Sequence, residues 1–392
     1  MIAHARPGGR PWGRVLRGLG SALLLPAAGC GGGAGPGPVE EILPAPSDTI
    51  LTQWTEFPLA TAVGSRWIVV SADWDVARLA DLEPRSLDPL GGPTQTAYLH
   101  PFHVFTFRDT VYLADWGKRR TTVWDTQGRL ADSIAVADGL RGAYVRARDA
   151  AGQLYFQVDP EPRRDGSGNR DSAAIVRAPR SLARFDTVAR LAPVELIEMR
   201  RENVLRFEQP VFSGSDLWGV WPDGTVWIMR RFRNQLESVD PRGGGRRTRG
   251  PPLPDPVYEV TEADRELHLR SYPPDLRPKE TDMAWAVLFP PFAAAFAGPD
   301  GSIWLEKTKP ATDTIRRIQV LDRAGTLRRV LLLRGQGRLV AVGPEQLLIA
   351  VRFPEGIRLM GIRVPLPAAS PPSPQAVRRP APGAGRPRTT AG

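Results

Sequence analysis

Only one cysteine, Cys30, occurs in the 392 residues, so no intrachain disulfide can form. Lysine is nearly absent: Lys118, Lys279, Lys307 and Lys309 stand against a background of arginine. There are four histidines, His4, His100, His103 and His268. The chain has no Gly-rich phosphate loop ending in Lys-Ser or Lys-Thr, no H-E-x-x-H and no G-x-S-x-G. These absences remove the common nucleotide-binding, zinc-protease and serine-hydrolase signatures. The apolar run from Leu19 to Ala28 is too short to cross a bilayer, which takes about 20 residues.

What is present is turn-forming residue and arginine. Pro (40) and Gly (39) are both high, which favours many turns over long helices, while 42% apolar residues suffice for a large core. The net charge of +10 is concentrated at the ends. Arg6, Arg10, Arg14 and Arg17 near the start, and Arg378, Arg379, Arg386 and Arg388 near the finish, supply eight of the ten charges. The body is close to +2, so a nucleic-acid partner is not expected.

Residues 1–29 read as an export signal: Arg10, Arg14 and Arg17, then an apolar core, then small residues ending at Cys30. Ala27-Ala28-Gly29-Cys30 resembles a bacterial lipobox, with Ala27 in the place usually held by Leu. That resemblance implies a diacylglyceryl group on Cys30 and attachment to a bacterial membrane on its periplasmic or cell-surface side. Acyl chains contribute about 0.8 kcal/mol per buried CH₂, enough together for stable anchoring. Residues 30–47, opening Gly31-Gly32-Gly33 and Pro-rich beyond, read as a flexible tether. Residues 367–392, composed mainly of Pro, Ala and Arg, have almost nothing to bury and are expected to be disordered.

Between these ends one pattern recurs six times: a turn with Gly or Asp, then a β-rich run with a bulky residue at a fixed place. Trp67, Tyr112, Tyr155, Trp227, Trp304 and Leu348 mark it, at intervals of 45, 43, 72, 77 and 44 residues. Three intervals match the 40–45 residues of a four-stranded propeller blade. The long ones carry insertions at about 160–172 and 242–283. Each marker run follows a short apolar run across a tight turn, as Phe102–Phe107 precedes Tyr112, which reads as a hairpin. Asp-led turns ending in Gly, Asp125–Gly128 and Asp322–Gly325, introduce two more strands; Asp186 and Asp240 are read as the same mark. The fold class is therefore all-β: residues 48–366 form a six-bladed β-propeller of four-stranded antiparallel blades, with one short helical insertion. Six such sheets cover one another's faces around an axis, and the bulky markers fill the seams. Thr261-Glu262-Ala263-Asp264 begins the helix, which stops near Tyr272 at Pro273-Pro274 and lies across one face of the ring.

Tyr112-Leu113-Ala114-Asp115, followed by Val123-Trp124-Asp125 and Gly128, is similar to NHL-type repeats. The body as a whole looks like the six-bladed β-propeller lipoproteins of bacterial families without an assigned activity. The resemblance speaks to architecture, because propellers host many unrelated functions.

Candidate sites are few. Three places past the marker come Asp115, Arg230 and Lys307, with Glu306 adjacent; converging at a channel mouth, they would grip a charged ligand. His100 and His103 are the nearest approach to a zinc pair, but at that spacing a strand sends them to opposite faces. Asp165–Asp171 alternates oxygen-bearing residues as calcium loops do, with Arg170 where such a loop wants Gly. Calcium-dependent lactonase propellers hold their metal with a Glu, an Asp and two Asn, and this chain offers only Asn169, Asn203 and Asn234. Arg242, Arg246, Arg247 and Arg249 form a basic patch beside three glycines. No catalytic residue, metal or cofactor is assigned. The reading is a membrane-anchored binding or scaffold module, ligand unassigned, whose partner beyond the membrane is an envelope protein or a glycan. The alternative is a metal-assisted, lactonase-like hydrolase seated in the propeller channel.

Overall fold

The computed structural model describes residues 38–46, 48–71, 73, 75–91, 98–160, 172–201 and 204–364. The six repeats form six sheets. Blade 1 contains Leu59–Val63, Arg66–Ser71, Val76–Asp81 and Ser86–Pro89. Blade 2 contains Pro101–Phe107, Thr110–Asp115, Arg120–Trp124 and Leu130–Ala135. Blade 3 contains Val145–Arg148, Leu154–Val158, Ala174–Ala178 and Asp186–Arg190. Blade 4 contains Leu217–Val220, Val226–Arg230, Gln235–Asp240 and Arg246–Pro252. Blade 5 contains Phe292–Ala297, Ile303–Lys307, Ile315–Leu321 and Leu327–Arg334. Blade 6 has only three strands of its own, Arg338–Val342, Gln346–Phe353 and Gly356–Arg363. Its fourth is Asp48–Leu51, which pairs antiparallel with Gly356–Arg363 from Asp48↔Gly361 to Leu51↔Arg358. A strand from the start of the body thus completes the last blade. The first strands touch in ring order, each against the next and blade 6 against blade 1, so the molecule is a closed six-bladed propeller.

The second strand of each blade is apolar on both faces because both are covered. Six buried clusters result, one in each seam between neighbouring blades. All six marker residues are buried. Tyr112, Tyr155, Trp227, Trp304 and Leu348 face the following blade, whereas Trp67 packs back against blade 6. Ile68 occupies the seam that Tyr112 does one blade later. A step of one residue along a strand reverses the face, so the blade 1 marker is Ile68 by packing.

The Asp-led turns work through side-chain acceptors. Asp125 Oδ1 accepts from the Gln127 and Arg129 amides, and Asp322 Oδ1 from those of Ala324 and Thr326, all at 2.9 Å. Gly128 and Gly325 close these turns at φ 75° and 83°, where other residues are strained. Asp186, read as the same mark, instead begins the outer strand of blade 3.

Three boundaries differ from the sequence reading. Within the stretch read as a tether, 30–47, Val39–Ile42 is a strand, parallel to Leu327–Arg334 as a fifth member of blade 5. Within the stretch read as an insertion at 242–283, Arg246–Pro252 is the outer strand of blade 4. That strand is almost entirely exposed and arginine-rich, so it has no alternating apolar signal. The long interval before Trp227 also holds the hairpin Ile197–Arg201 with Val204–Glu208. The helix spans Glu262–Leu269 and carries the expected box, with Thr261 accepting from the Asp264 amide and Asp264 from that of Thr261. Residues 161–171 of the first insertion, Cys30, the signal segment and the 367–392 tail lie outside the described residues.

Candidate functional site

The four residues proposed from blade position are each engaged by the protein. Asp115 is fully buried, accepting from the amides of Leu99 (2.8 Å) and Lys118 (3.0 Å). Arg230 is clasped between Asp216 (2.7 Å) and Glu237 (2.9 Å) and donates to the Arg190 carbonyl of blade 3. Burial alone would lower the Arg230 guanidinium; Glu237 and Asp216 outweigh it and hold the group above its usual range. Lys307 Nζ meets Asp255 at 2.6 Å, where burial pushes the ammonium down against the pull of that carboxylate. Glu306, with no exposed surface, pairs with Arg316 and accepts from the Leu339 amide at 2.7 Å, with Arg338 Nε at 3.5 Å. Glu306 thereby joins blade 5 to the first strand of blade 6. None of the four lines either cavity described below.

The larger cavity, about 760 Å³, runs along the propeller axis and is lined by the first strands of all six blades. Its two halves differ. Blades 5, 6 and 1 contribute Ala294, Ala295, Ala297, Ala341, Ala60 and Ala62, with Phe296, Leu339 and Leu59 among them. Blades 2, 3 and 4 contribute Phe105, Phe107, Arg108, Arg146, Arg148 and Trp218. Arg338 adds a fourth guanidinium, and among the described residues no Asp, Glu or Asn belongs to this wall.

Arg146 and Arg148 both lie against blade 2, as their ring contacts show, on a strand whose pairing register shifts between Val145 and Ala147. The Arg146 guanidinium lies 5.2 Å from the ring centre of Phe102. That of Arg148 lies 5.7 Å from Phe107 and 5.9 Å from Tyr112, whose hydroxyl it also meets. Neither arginine has a carboxylate within 4.0 Å among the described residues, and Arg148 Nε is buried without a hydrogen-bond partner. His103 faces the same seam, with Nε2 3.1 Å from the Arg146 carbonyl. Burial and then the Arg146 charge push its imidazole down to about 3, so it is neutral at ordinary pH.

The second cavity, about 550 Å³, adjoins the first, since Phe57 and Arg338 line both. The helix forms part of its wall through Asp264, Leu267 and His268. Opposite stand Phe289, Phe292, Lys309 and Arg316. The rings of Phe212, His268, Trp285 and Phe289 pack together here, at 4.9 to 5.9 Å between centres. Burial lowers the His268 imidazole, whose Nε2 has no partner; Thr308 Oγ1 is likewise unpartnered.

Of the residues weighed as metal ligands, the described ones are not brought together. His100 is exposed beside Asp75 while His103 faces the channel. Asn234 is bound to Asp255 and the Leu253 carbonyl, and Asn169 and Asn203 lie outside the described residues. No group of three His, Cys, Asp or Glu side chains suited to a metal occurs among the described residues. Within the basic patch, Arg247 and Arg249 reach Glu237 and Arg242 reaches Asp149. The channel arginines were missed in the sequence, although Val145-Arg146-Ala147-Arg148 alternates as a half-apolar strand should.

No protein-family model matches the chain, and no curated protein matches it. Among solved structures it is similar to virginiamycin B lyase from Staphylococcus aureus, at 12% identity and a TM-score of 0.41, covering 80% of this chain and 97% of that one. A gluconolactonase from Xanthomonas campestris gives 12% and 0.44, covering 82% and 97%. The calcium-binding protein regucalcin from Agrobacterium tumefaciens gives 10% and 0.41, covering 83% and 96%. These likenesses carry no activity and no ligand to this chain.

Proposed function

We propose that this protein is a lipid-anchored envelope module that binds a small organic ligand in the channel of its propeller. The observation that carries the channel reading is the axial cavity, which all six first strands line and whose charged residues are all arginines. At about 760 Å³ it falls within the range of small-molecule sites. The anchor rests on the lipobox-like Ala27-Ala28-Gly29-Cys30. The Asp-led turns at Asp125 and Asp322 support a relationship to NHL-type repeats. Among the described residues the lactonase-like alternative has no Asp, Glu or Asn in the channel wall to support it.

Two experiments test this reading. Cys30→Ser is expected to move the protein from the membrane to the non-membrane fraction; a variant that stays membrane-bound refutes the anchor. For the channel, protein extracted from its own envelope is denatured and analysed by mass spectrometry beside Ala297→Trp. Ala297 is exposed to the channel, so the indole fills space there without displacing core. The wild type should release a small molecule that the variant lacks. Release of nothing from the wild type, or of equal amounts from both, overturns channel binding and turns attention to a glycan or protein on the outer surface.

A further inference from the structure

We infer that the channel ligand is an amphipathic organic anion, its acidic group held by Arg146 and Arg148 and its apolar body laid against the aromatic wall. The inference rests on the channel reading above and adds the chemical class. Of the four arginines in the wall, Arg338 has a carboxylate at hand, Glu306 at 3.5 Å. Arg108 is exposed, and among the described residues Arg146 and Arg148 have no carboxylate within 4.0 Å, Asp159 opposing the burial of Arg146 only from farther away. Unpaired cations with restricted hydration are costly, and an anion is the group that relieves them.

The two guanidiniums are also ordered in advance. Phe102, Phe107 and Tyr112 support them from beneath, and the Tyr112 hydroxyl meets one edge of Arg148. The buried Arg148 Nε retains an unused donor. A planar fork held this way suits carboxylate, sulfonate or phosphate oxygens, which accept two parallel hydrogen bonds. His103 adds no competing charge, being neutral there.

A bare inorganic anion would leave most of a 760 Å³ cavity unfilled. Phe105 and Trp218 offer apolar surface beside the arginines, and the alanines of blades 5, 6 and 1 leave room opposite. Phe57 then continues that surface into the helix-lined mouth, giving an elongated ligand a second apolar compartment.

The test compares two fluorescent probes with the same aromatic body, 8-anilinonaphthalene-1-sulfonate and its uncharged counterpart N-phenyl-1-naphthylamine. Each is titrated into the full chain and into Arg146→Met, Arg148→Met and Ala297→Trp, with melting curves confirming that each variant is folded. The sulfonate should bind the wild type more tightly than the neutral probe. Either methionine variant should weaken the sulfonate about tenfold, as loss of a charge-assisted hydrogen bond implies, and change the neutral probe less than about twofold. Ala297→Trp should weaken both. If the two probes bind alike, or neither methionine variant affects the sulfonate, while Ala297→Trp still weakens both, the anionic class is wrong and the channel reading stands. If Ala297→Trp affects neither probe, or no binding is seen, both fall.

Discussion

Asp264 joins the helix of the insertion to blade 5: its Oδ1 accepts from the Ala311 amide at 2.6 Å while its Oδ2 accepts from the Thr261 amide at 2.9 Å. The same carboxylate therefore starts the helix and fixes it beside the channel mouth. Only 4% of Asp264 is exposed, so its removal leaves donors that water cannot readily reach. Asp264→Ala should cost about 1 kcal/mol for the cap and about 1–3 kcal/mol for the orphaned Ala311 amide. Because the helix is one local element, the loss should appear as at least about tenfold faster amide exchange across Glu262–Leu269 with a small change in Tm. Unchanged protection of that helix would show that its apolar face alone holds it.

Closure of the ring depends on a residue with no side chain. Gly356 has φ 140°, and a Cβ placed on it would lie 1.9 Å from the Thr52 carbonyl oxygen. Thr52 follows the strand that completes blade 6, and its amide donates to the Ile357 carbonyl at 2.8 Å. Gly356→Ala must therefore displace the closing strand, at a cost of about 3 kcal/mol or more. Gly335→Ala is the control: its φ is 92° but nothing lies within 4 Å of the added methyl. Backbone strain alone should cost that variant about 1 kcal/mol. Urea denaturation with limited proteolysis near residue 50 separates the two; equal losses would mean that the clash is relieved without opening the blade.

The repeat was legible because its signals are local. A Gly or Asp turn, an apolar run and an Asx acceptor such as Asp125 all lie within a dozen residues of one another. What was not legible depends on distant partners. Asp48–Leu51 pairs with residues some three hundred positions away, and nothing in Asp-Thr-Ile-Leu names that partner. Asp115, Arg230 and Lys307 each end the second strand of a blade, with Glu306 one residue earlier, but whether a charge there faces the axis or a neighbour depends on groups such as Asp216, Asp255 and Arg316. Arg146 and Arg148 were hidden for the opposite reason: in a chain so rich in arginine, two more in a short strand look like surface.

Glu306 is the buried link between blades 5 and 6, and it also restrains a channel cation. Glu306→Gln keeps the shape and an acceptor for the Leu339 amide but removes the charge facing Arg316 and Arg338. Breaking a buried pair from one side typically costs about 3–5 kcal/mol. The same change leaves Arg338 uncompensated at the junction of the two cavities, so the sulfonate probe should bind more tightly to this variant while melting occurs earlier. A variant as stable as the wild type would mean that solvent already screens these arginines.

The last prediction concerns acid. Folded His103 stays neutral down to about 3, while its unfolded counterpart takes up a proton near the ordinary 6.5. Between those values the unfolded chain binds more protons, so stability rises with pH there at up to about 1.4 kcal/mol per pH unit from this one group. The contribution is complete above 6.5 and is lost progressively as pH falls below it. Carboxylates act lower. Burial would raise Glu237, but Arg230, Arg249 and Arg247 hold it below its ordinary 4.5, so its contribution is intact above that value and disappears beneath it. A scan from pH 7.5 to pH 5 therefore isolates the imidazoles. His268, also lowered by burial, adds a slope of the same sign, so the comparison is made in a His268→Gln background. In that background the wild-type residue at position 103 should give a Tm that falls with acid, and His103→Gln, able to keep a hydrogen bond to the Arg146 carbonyl, should remove most of that fall. An unchanged slope would mean that channel water hydrates the imidazolium and that His103 titrates in the folded state after all.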